Sequence, residues 1–285
     1  MGVAFFHSEG PGRRSVVMKR WFSFLILVGI AATALAQDDP RYTAAMVMEP
    51  TTGKILFEKN AHDPAPTASM TKMMTLLILL DEIKQGSLNW DTPIRVSAHA
   101  SKMGGSQVFL KEGETFPVRE LAAATMIHSA NDAAMALAEH MAGTDQAFVK
   151  IMNQKAQQMG LKDSRYYSPH GLPGEGDPDD VMSPWDLAIV GRELMKDPNM
   201  RQWAATQTMP FRNGAFIMYN PNHLLDIFPG ATGIKTGFHN KAGFCVTGSA
   251  VRNNMELITV VMGAIVAVVV LAVMLPIFDL SSVAH

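Results

Sequence analysis

Ser69 stands three positions before Lys72, where the proline-bearing stretch HDPAPTAS gives way to MTKMMTLLILLDEIKQG. Positions three apart on a helix share a face, so this pair could act as nucleophile and base. A serine hydroxyl is a weak nucleophile at neutral pH unless a neighbour removes its proton, and a lysine does so only where apolar surroundings lower its pKa. Met70, Met73, Met74 and Leu76 supply such surroundings. With Ser69 in its first turn, the helix would also bring free N–H groups and positive potential to an oxyanion formed when Ser69 attacks a carbonyl. Taken alone, the pattern reads more simply as a helix cap beside a solvated lysine.

Two further tripeptides change that balance. Ser129-Ala130-Asn131 lies between two helical patterns, and Lys235-Thr236-Gly237 leads through the glycine-rich GATGIKTG into a strand-like run. A second serine near the first pair can relay a proton, an Asn amide can hold a peptide carbonyl, and a strand-borne lysine can bind a carboxylate. Gly237 would let a substrate backbone approach the strand edge closely. Ser87-Leu88-Asn89 has the same serine-x-asparagine spelling but lies shortly after Ser69 in a helix-exit loop, which marks it as a decoy. The histidines include no H-E-x-x-H pair. The side chain of His128 should point away from its neighbour Ser129. His170 reads as a loop-ordering residue, Cys245 as a buried apolar side chain, and the methionines as flexible core filler. Neither a metal nor an organic cofactor is expected.

These groups must be held by the elements around them. The run AAMVMEPTTGKILFEKN reads as a hairpin turning at Thr52-Gly53. The segment after Ser69 has helical composition and is apolar nearly all round over Leu76 to Leu80, which places it inside a domain. Helical patterns recur at Val118 to Met126, Asp132 to Met141, Gln146 to Met159 and Pro184 to Lys196, and strand-like runs return at Phe238 to Val251 and Met255 to Met262. Strands from both terminal regions therefore flank a mostly helical middle, and the pattern favours an α+β fold with the terminal strands meeting in one antiparallel sheet. The chain has 285 residues, 48% apolar and 18% charged, with a formal charge of -2. That composition excludes a disordered chain and a basic nucleic-acid-binding surface. The single cysteine excludes an intrachain disulfide framework.

The ends read differently. Residues 21 to 37 carry no charge, follow Arg13, Arg14, Lys19 and Arg20, and close on Ala34-Leu35-Ala36, so residues 1–36 read as an export signal, with Met18 an alternative start. Residues 37–263 form the catalytic unit on this reading. Leu257 to Phe278 is again free of charge, but a strand over residues 255 to 262 would leave only Gly263 to Phe278, marginal for crossing a membrane and interrupted by Pro276. Residues 264–285 are thus an apolar tail, either a membrane segment or a foreign fusion.

In order from Ala44 to about Met262, the segments EPTTGKILFEKNAHDPAPTASMTKMMT, GGSQVFLKEGE, HSANDAAMALAEHMAG, MNQKAQQMGLKDSRYYSPHGLP and GATGIKTGFHNKAGF resemble a known family. It is that of the serine D-alanyl-D-alanine carboxypeptidases among the low-molecular-mass penicillin-binding proteins, peptidase family S11. A three-motif set of this kind is also known in class A β-lactamases. The resemblance implies a β-lactamase/transpeptidase-like fold. It makes Ser69 the acylated nucleophile, Lys72 its base, Ser129 the proton relay, Asn131 a substrate amide clamp, and Lys235 with Thr236 the carboxylate anchor. The backbone N–H groups of Ser69 and Phe238 would form the oxyanion hole. Ala130 replaces the family's usual glycine, a small change expected to be tolerated. The implied substrate is the terminal D-Ala-D-Ala of peptidoglycan stem peptides, and β-lactams are implied as covalent inhibitors. Alternatives are a D,D-endopeptidase or β-lactamase using the same residues, and an inactive penicillin-binding scaffold tethered to the inner membrane. No Glu-x-x-x-Asn element follows the second motif, which disfavours β-lactamase and predicts slow release of bound penicillin. The family normally continues past Gly263 with an arginine-bearing segment and another helix. Here no Lys or Arg follows Arg252, and the tail resembles the last membrane segment of inner-membrane platform proteins of type II secretion and type IV pili, as in a fusion or a gene-model error.

Overall fold

A computed structural model describes residues 41–264. The leader and the tail beyond Ala264, with the signal and membrane readings attached to them, lie outside the described residues. Among those described, no helix is long and apolar enough to cross a membrane.

The first hairpin forms as its sequence suggests. Strands β1 (Ala44–Met48) and β2 (Ile55–Lys59) pair antiparallel. Their turn is built on Glu49, whose carboxylate accepts the N–H groups of Thr51 and Thr52 at 2.7 Å each. Gly53 takes φ +77°, a left-handed conformation that costs glycine little. The long β-rich run near the other end folds into β9 (Ala231–His239), β10 (Gly243–Arg252) and β11 (Met255–Ala264). These five strands make one antiparallel sheet in the order β2-β1-β11-β10-β9, in which Met46 of the first strand faces Val260 of the last. The terminal strands therefore meet as expected. Two details differ from the sequence reading: Phe238 to Val251 is a hairpin broken at residues 240–242, and all of GATGIKTG after its first glycine lies within β9 rather than before it. Its glycines disfavour a strand locally, but the pairing of residues 231–239 with β10 supplies the missing preference.

Helices fill the middle. A short 3-10 turn, Ala68–Thr71, runs directly into α1 (Lys72–Gln85), whose residues from Lys72 to Leu79 are all buried. It is followed by α2 (Val118–Ile127), α3 (Asn131–Ala142), α4 (Asp145–Gln158), α5 (Pro184–Leu194), α6 (Pro198–Ala204) and the single turn α7 (Leu224–Ile227). Alternation along the strands sends Ala44, Met46, Met48, Ile258, Val260 and Met262 into the main core with the helices, while Ala45, Val47, Leu257 and Val261 join a second cluster with Leu224 and Phe228. Three small pairings escaped the sequence reading: β3 (Ala65–Pro66) with β6 (Val181–Met182), β4 (Pro93–Arg95) with β5 (Thr115–Pro117), and β7 (Thr208–Phe211) with β8 (Phe216–Tyr219). Each is too short for a two-residue alternation to register.

The loop over residues 104–110 is fastened from below by Asp132. This fully buried carboxylate accepts Leu110 N at 3.0 Å and Val108 N at 3.2 Å, as well as Ala133 N at 2.9 Å within its own helix. Removing it would strand two buried backbone donors, each costing about 1–3 kcal/mol. Asp132→Ala is expected to lower unfolding free energy by about 2–5 kcal/mol in denaturant titration. A loss under about 0.5 kcal/mol, the level of an ordinary surface substitution, would show that the carboxylate does not carry this loop.

Candidate active site

Ser69 lies in the 3-10 turn rather than in the first α-helical turn, and the α-helix proper begins at Lys72. The tighter winding still sets the two side chains together, with Lys72 Nζ 2.8 Å from Ser69 Oγ. Nζ also donates to the carbonyl oxygen of His170 at 2.7 Å. The lysine is fully buried, as are its chain neighbours Met70, Met73 and Met74. Burial pushes its pKa well below the usual lysine value, and the positive charge of Lys235 pushes it the same way. An amine next to a half-buried hydroxyl is the state in which it can accept a proton.

The acceptor at His170 is held from several sides. Asp180 is buried and accepts Ser168 N at 2.9 Å and Ser168 Oγ at 2.6 Å, while Ser168 Oγ in turn accepts Gly171 N at 2.8 Å. Thr75 of α1 donates to Pro169 O at 2.6 Å. Gly171 has φ +81°, and a Cβ there would fall 1.8 Å from Ala68 O, so only glycine lets this loop press against the turn carrying Ser69. Burial lowers the pKa of the His170 ring to about 3, so it stays neutral. Its Nδ1 accepts Leu172 N at 3.1 Å. It orders a loop, as its sequence context suggested.

Ser129 sits between α2 and α3 with φ +61° and is nearly buried. It lines a cavity of about 320 Å³ together with Ser69, Ser106, Thr236 and Gly237. Its neighbour His128 turns away, with Nδ1 accepting Tyr219 N at 3.2 Å and the ring edge-on to Phe216. Ala130 is fully buried. Asn131 opens α3; its backbone N–H donates to Ser106 O at 2.7 Å and its Nδ2 to Gly104 O at 2.7 Å. Its Oδ1 is buried with no partner among the described residues. One amide hydrogen is therefore committed to the protein.

Strand β9 brings the third group. Among the described residues it ends the sheet, leaving one edge open, and the strand runs past the 3-10 turn. A Cβ on Gly237 would lie 2.7 Å from Thr67 O and 2.9 Å from Ser69 N, which is why glycine stands where strand and turn approach. Lys235 is buried, donates to Thr236 O at 3.1 Å, and has its pKa lowered to about 7 by burial. Phe238 packs on Phe244 at 4.6 Å between ring centroids, and both line the same cavity as Ser69. Ser69, Ser129, Thr236 and Gly237 thus line one cavity, Lys72 is hydrogen-bonded to Ser69, and with Asn131 and Lys235 beside them these residues come from three separate stretches of chain. The decoy Ser87 lies at the far end of α1, where it donates to Glu82 O at 2.9 Å and closes the helix.

Sequence reasoning missed the His170 carbonyl, Thr75 and Asp180. A backbone oxygen has no residue signature, and Thr75 and Asp180 matter only once the loop has been folded onto α1. Their nearest signal was SPHGLP, quoted for the family resemblance without a role for the lysine.

A family model for D-alanyl-D-alanine carboxypeptidases matches residues 31–265. The carboxypeptidase DacF of Bacillus subtilis is 37% identical over 87% of this chain and 67% of its own length, and DacD of Escherichia coli is 33% identical over 88% and 67%. Among solved structures, penicillin-binding protein 6B of Escherichia coli superposes with a TM-score of 0.78 at 30% identity, covering 86% of this chain and 80% of that one. Penicillin-binding protein D2 of Listeria monocytogenes, solved in its ampicillin-bound form, superposes at 0.74 and 28% identity, covering 85% of this chain and 97% of that one. With fold, motif order and family model in agreement, the chain belongs to the D-alanyl-D-alanine carboxypeptidase family of serine hydrolases, peptidase family S11.

Proposed function

We propose that the protein removes the terminal D-alanine from peptidoglycan stem peptides through an acyl-enzyme at Ser69. The observation that carries this reading is the dehydrated Lys72 amine 2.8 Å from the Ser69 hydroxyl. Lys72 takes the hydroxyl proton as Oγ attacks the carbonyl carbon of the D-Ala-D-Ala bond. Ser69 N and Phe238 N receive the developing oxyanion. The C–N bond then breaks, the proton reaches the leaving amine by way of Ser129, and free D-alanine departs. Water hydrolyses the remaining ester with Lys72 again as base. Lys235 and Thr236 hold the terminal carboxylate, and Asn131 holds the substrate backbone on the acyl side.

A β-lactam enters the same way, but its cleaved ring nitrogen stays attached to the acyl group and its ester is expected to release slowly. The leader reads as an export signal, so the catalytic unit, residues 37–263, acts outside the cytoplasm, and the apolar tail tethers it to the inner membrane. An endopeptidase acting on cross-links would use the same groups; digestion of purified muropeptides with separation of the products distinguishes monomers trimmed by one D-alanine from dimers split in two.

Labelled penicillin is expected to give a covalent band that Ser69→Ala abolishes, while Lys72→Ala slows acylation by about 10²–10⁴-fold, the range of a lost general base. A band that survives Ser69→Ala would place the nucleophile elsewhere.

The two lysines set opposite limbs of the pH profile. Lys72 must be neutral, so acylation falls on the acid side as it protonates. Lys235 must be charged to attract a carboxylate, and with its pKa lowered to about 7, kcat/KM is expected to decline as pH rises through that value. Lys235→Arg should shift the alkaline decline upward, because guanidinium stays protonated. An alkaline limb unmoved by that substitution would assign it to another group.

A further inference from the structure

The cavity that opens at Ser69, Ser129 and Thr236 is larger than a D-alanine needs. It measures about 320 Å³. A water molecule's share of liquid volume is about 30 Å³ and a methyl group is of similar size, so the scissile peptide and terminal carboxylate take part of this space and an alanine side chain adds little to what they fill. Beyond Thr236 the walls are Leu224, Ile227, Phe238, Phe244 and Val246, and among the described residues no Asp, Glu, Lys or Arg lines the cavity. Leu224 and Val246 are buried and form a floor. Ile227, Phe238 and Phe244 are 54%, 56% and 44% exposed, three large apolar side chains brought to one place. Such a concentration beside a polar reaction centre marks a binding surface. Asn222 lines the same cavity, is buried, and has its Nδ2 unpartnered among the described residues, so a neutral donor stands on this side of Thr236 as well.

We infer that this cavity takes the side chain of the substrate's C-terminal D-residue, and that the protein releases apolar D-amino acids larger than alanine. The inference rests on the acylation reading above. With the terminal carboxylate on Lys235 and Thr236 and the scissile carbonyl at Ser69, the α-carbon of the leaving residue lies between them, and its side chain emerges where the cavity opens. The step is unchanged: the Ser69 Oγ–carbon bond forms, the C–N bond breaks, and the hydroxyl proton leaves on the amine of the released D-amino acid. A hydrophobic pocket distinguishes one methylene by about 10–200-fold, so filling this one would offset the strain of admitting a larger residue.

The test uses the full chain and the peptides diacetyl-L-lysyl-D-alanyl-D-X, with X alanine, methionine or leucine, and measures kcat/KM from the free D-amino acid. D-Methionine and D-leucine are expected to be released at least as fast as one third of the D-alanine rate. Any slower release overturns the inference. Ile227→Asp and Phe244→Asp, both exposed positions, are expected to lower the leucine-to-alanine ratio at least tenfold. A smaller fall removes the cavity from the leaving-group side, as would a response to the penultimate residue instead of X. A covalent penicillin adduct with strict preference for D-alanine would sink this inference alone, whereas no adduct and no release from any peptide would sink the acylation reading with it.

Discussion

The removal of Lys72 from water is the constraint on which the rest of the structure depends. An ammonium taken into the interior without a carboxylate partner is disfavoured by several kcal/mol even after relaxation, and no ion pair to Lys72 occurs among the described residues. The side chain is relieved by being held as an amine, between Ser69 Oγ and His170 O. That solution demands a dry and rigid surrounding. It explains why α1 is buried on every side through its first two turns, why methionines crowd Ser69, and why the loop carrying His170 is fastened by Asp180 and Thr75 instead of being left at the surface.

The second lysine shows the same physics used for another end. Lys235 is likewise buried, and burial lowers its pKa to about 7. It sits on a strand whose outer edge is unpaired, a feature that folded proteins usually cover or blunt. Here the edge passes beside the turn bearing Ser69, with Gly237 as the point of nearest approach. A chain laid along that edge would find backbone groups to pair with on one side and the nucleophile on the other. The charge of Lys235 in turn helps to lower the pKa of Lys72.

Much of the fold was legible. The first hairpin, the buried helix after Ser69 and the meeting of terminal strands all followed from periodicity and turn residues, since these elements are long enough for their patterns to accumulate. The small sheets were not legible, because two to four residues carry no period. Nor was the strand character of GATGIKTG, where glycines hide a preference that arises only from pairing with β10. In the site, the serine, lysine and asparagine side chains announced themselves by type and spacing. The Asn131 amide behaved differently from a free donor: Gly104 claims one of its hydrogens, a contact set by a loop that Asp132 holds from the core.

By itself the sequence determined which functional groups this protein owns and the order in which it carries them, because residue type and short-range spacing are written locally. It also determined that Ser69 and Lys72 would share a turn, since only three positions separate them. Tertiary structure alone decided that the lysine's pKa would be pushed down, because it follows from how many apolar atoms and charges the rest of the chain brings within a few ångströms. It likewise decided that an edge strand from residues 231–239 would meet residue 69, and that an apolar cavity would open between them. Those distances depend on how every intervening element packs.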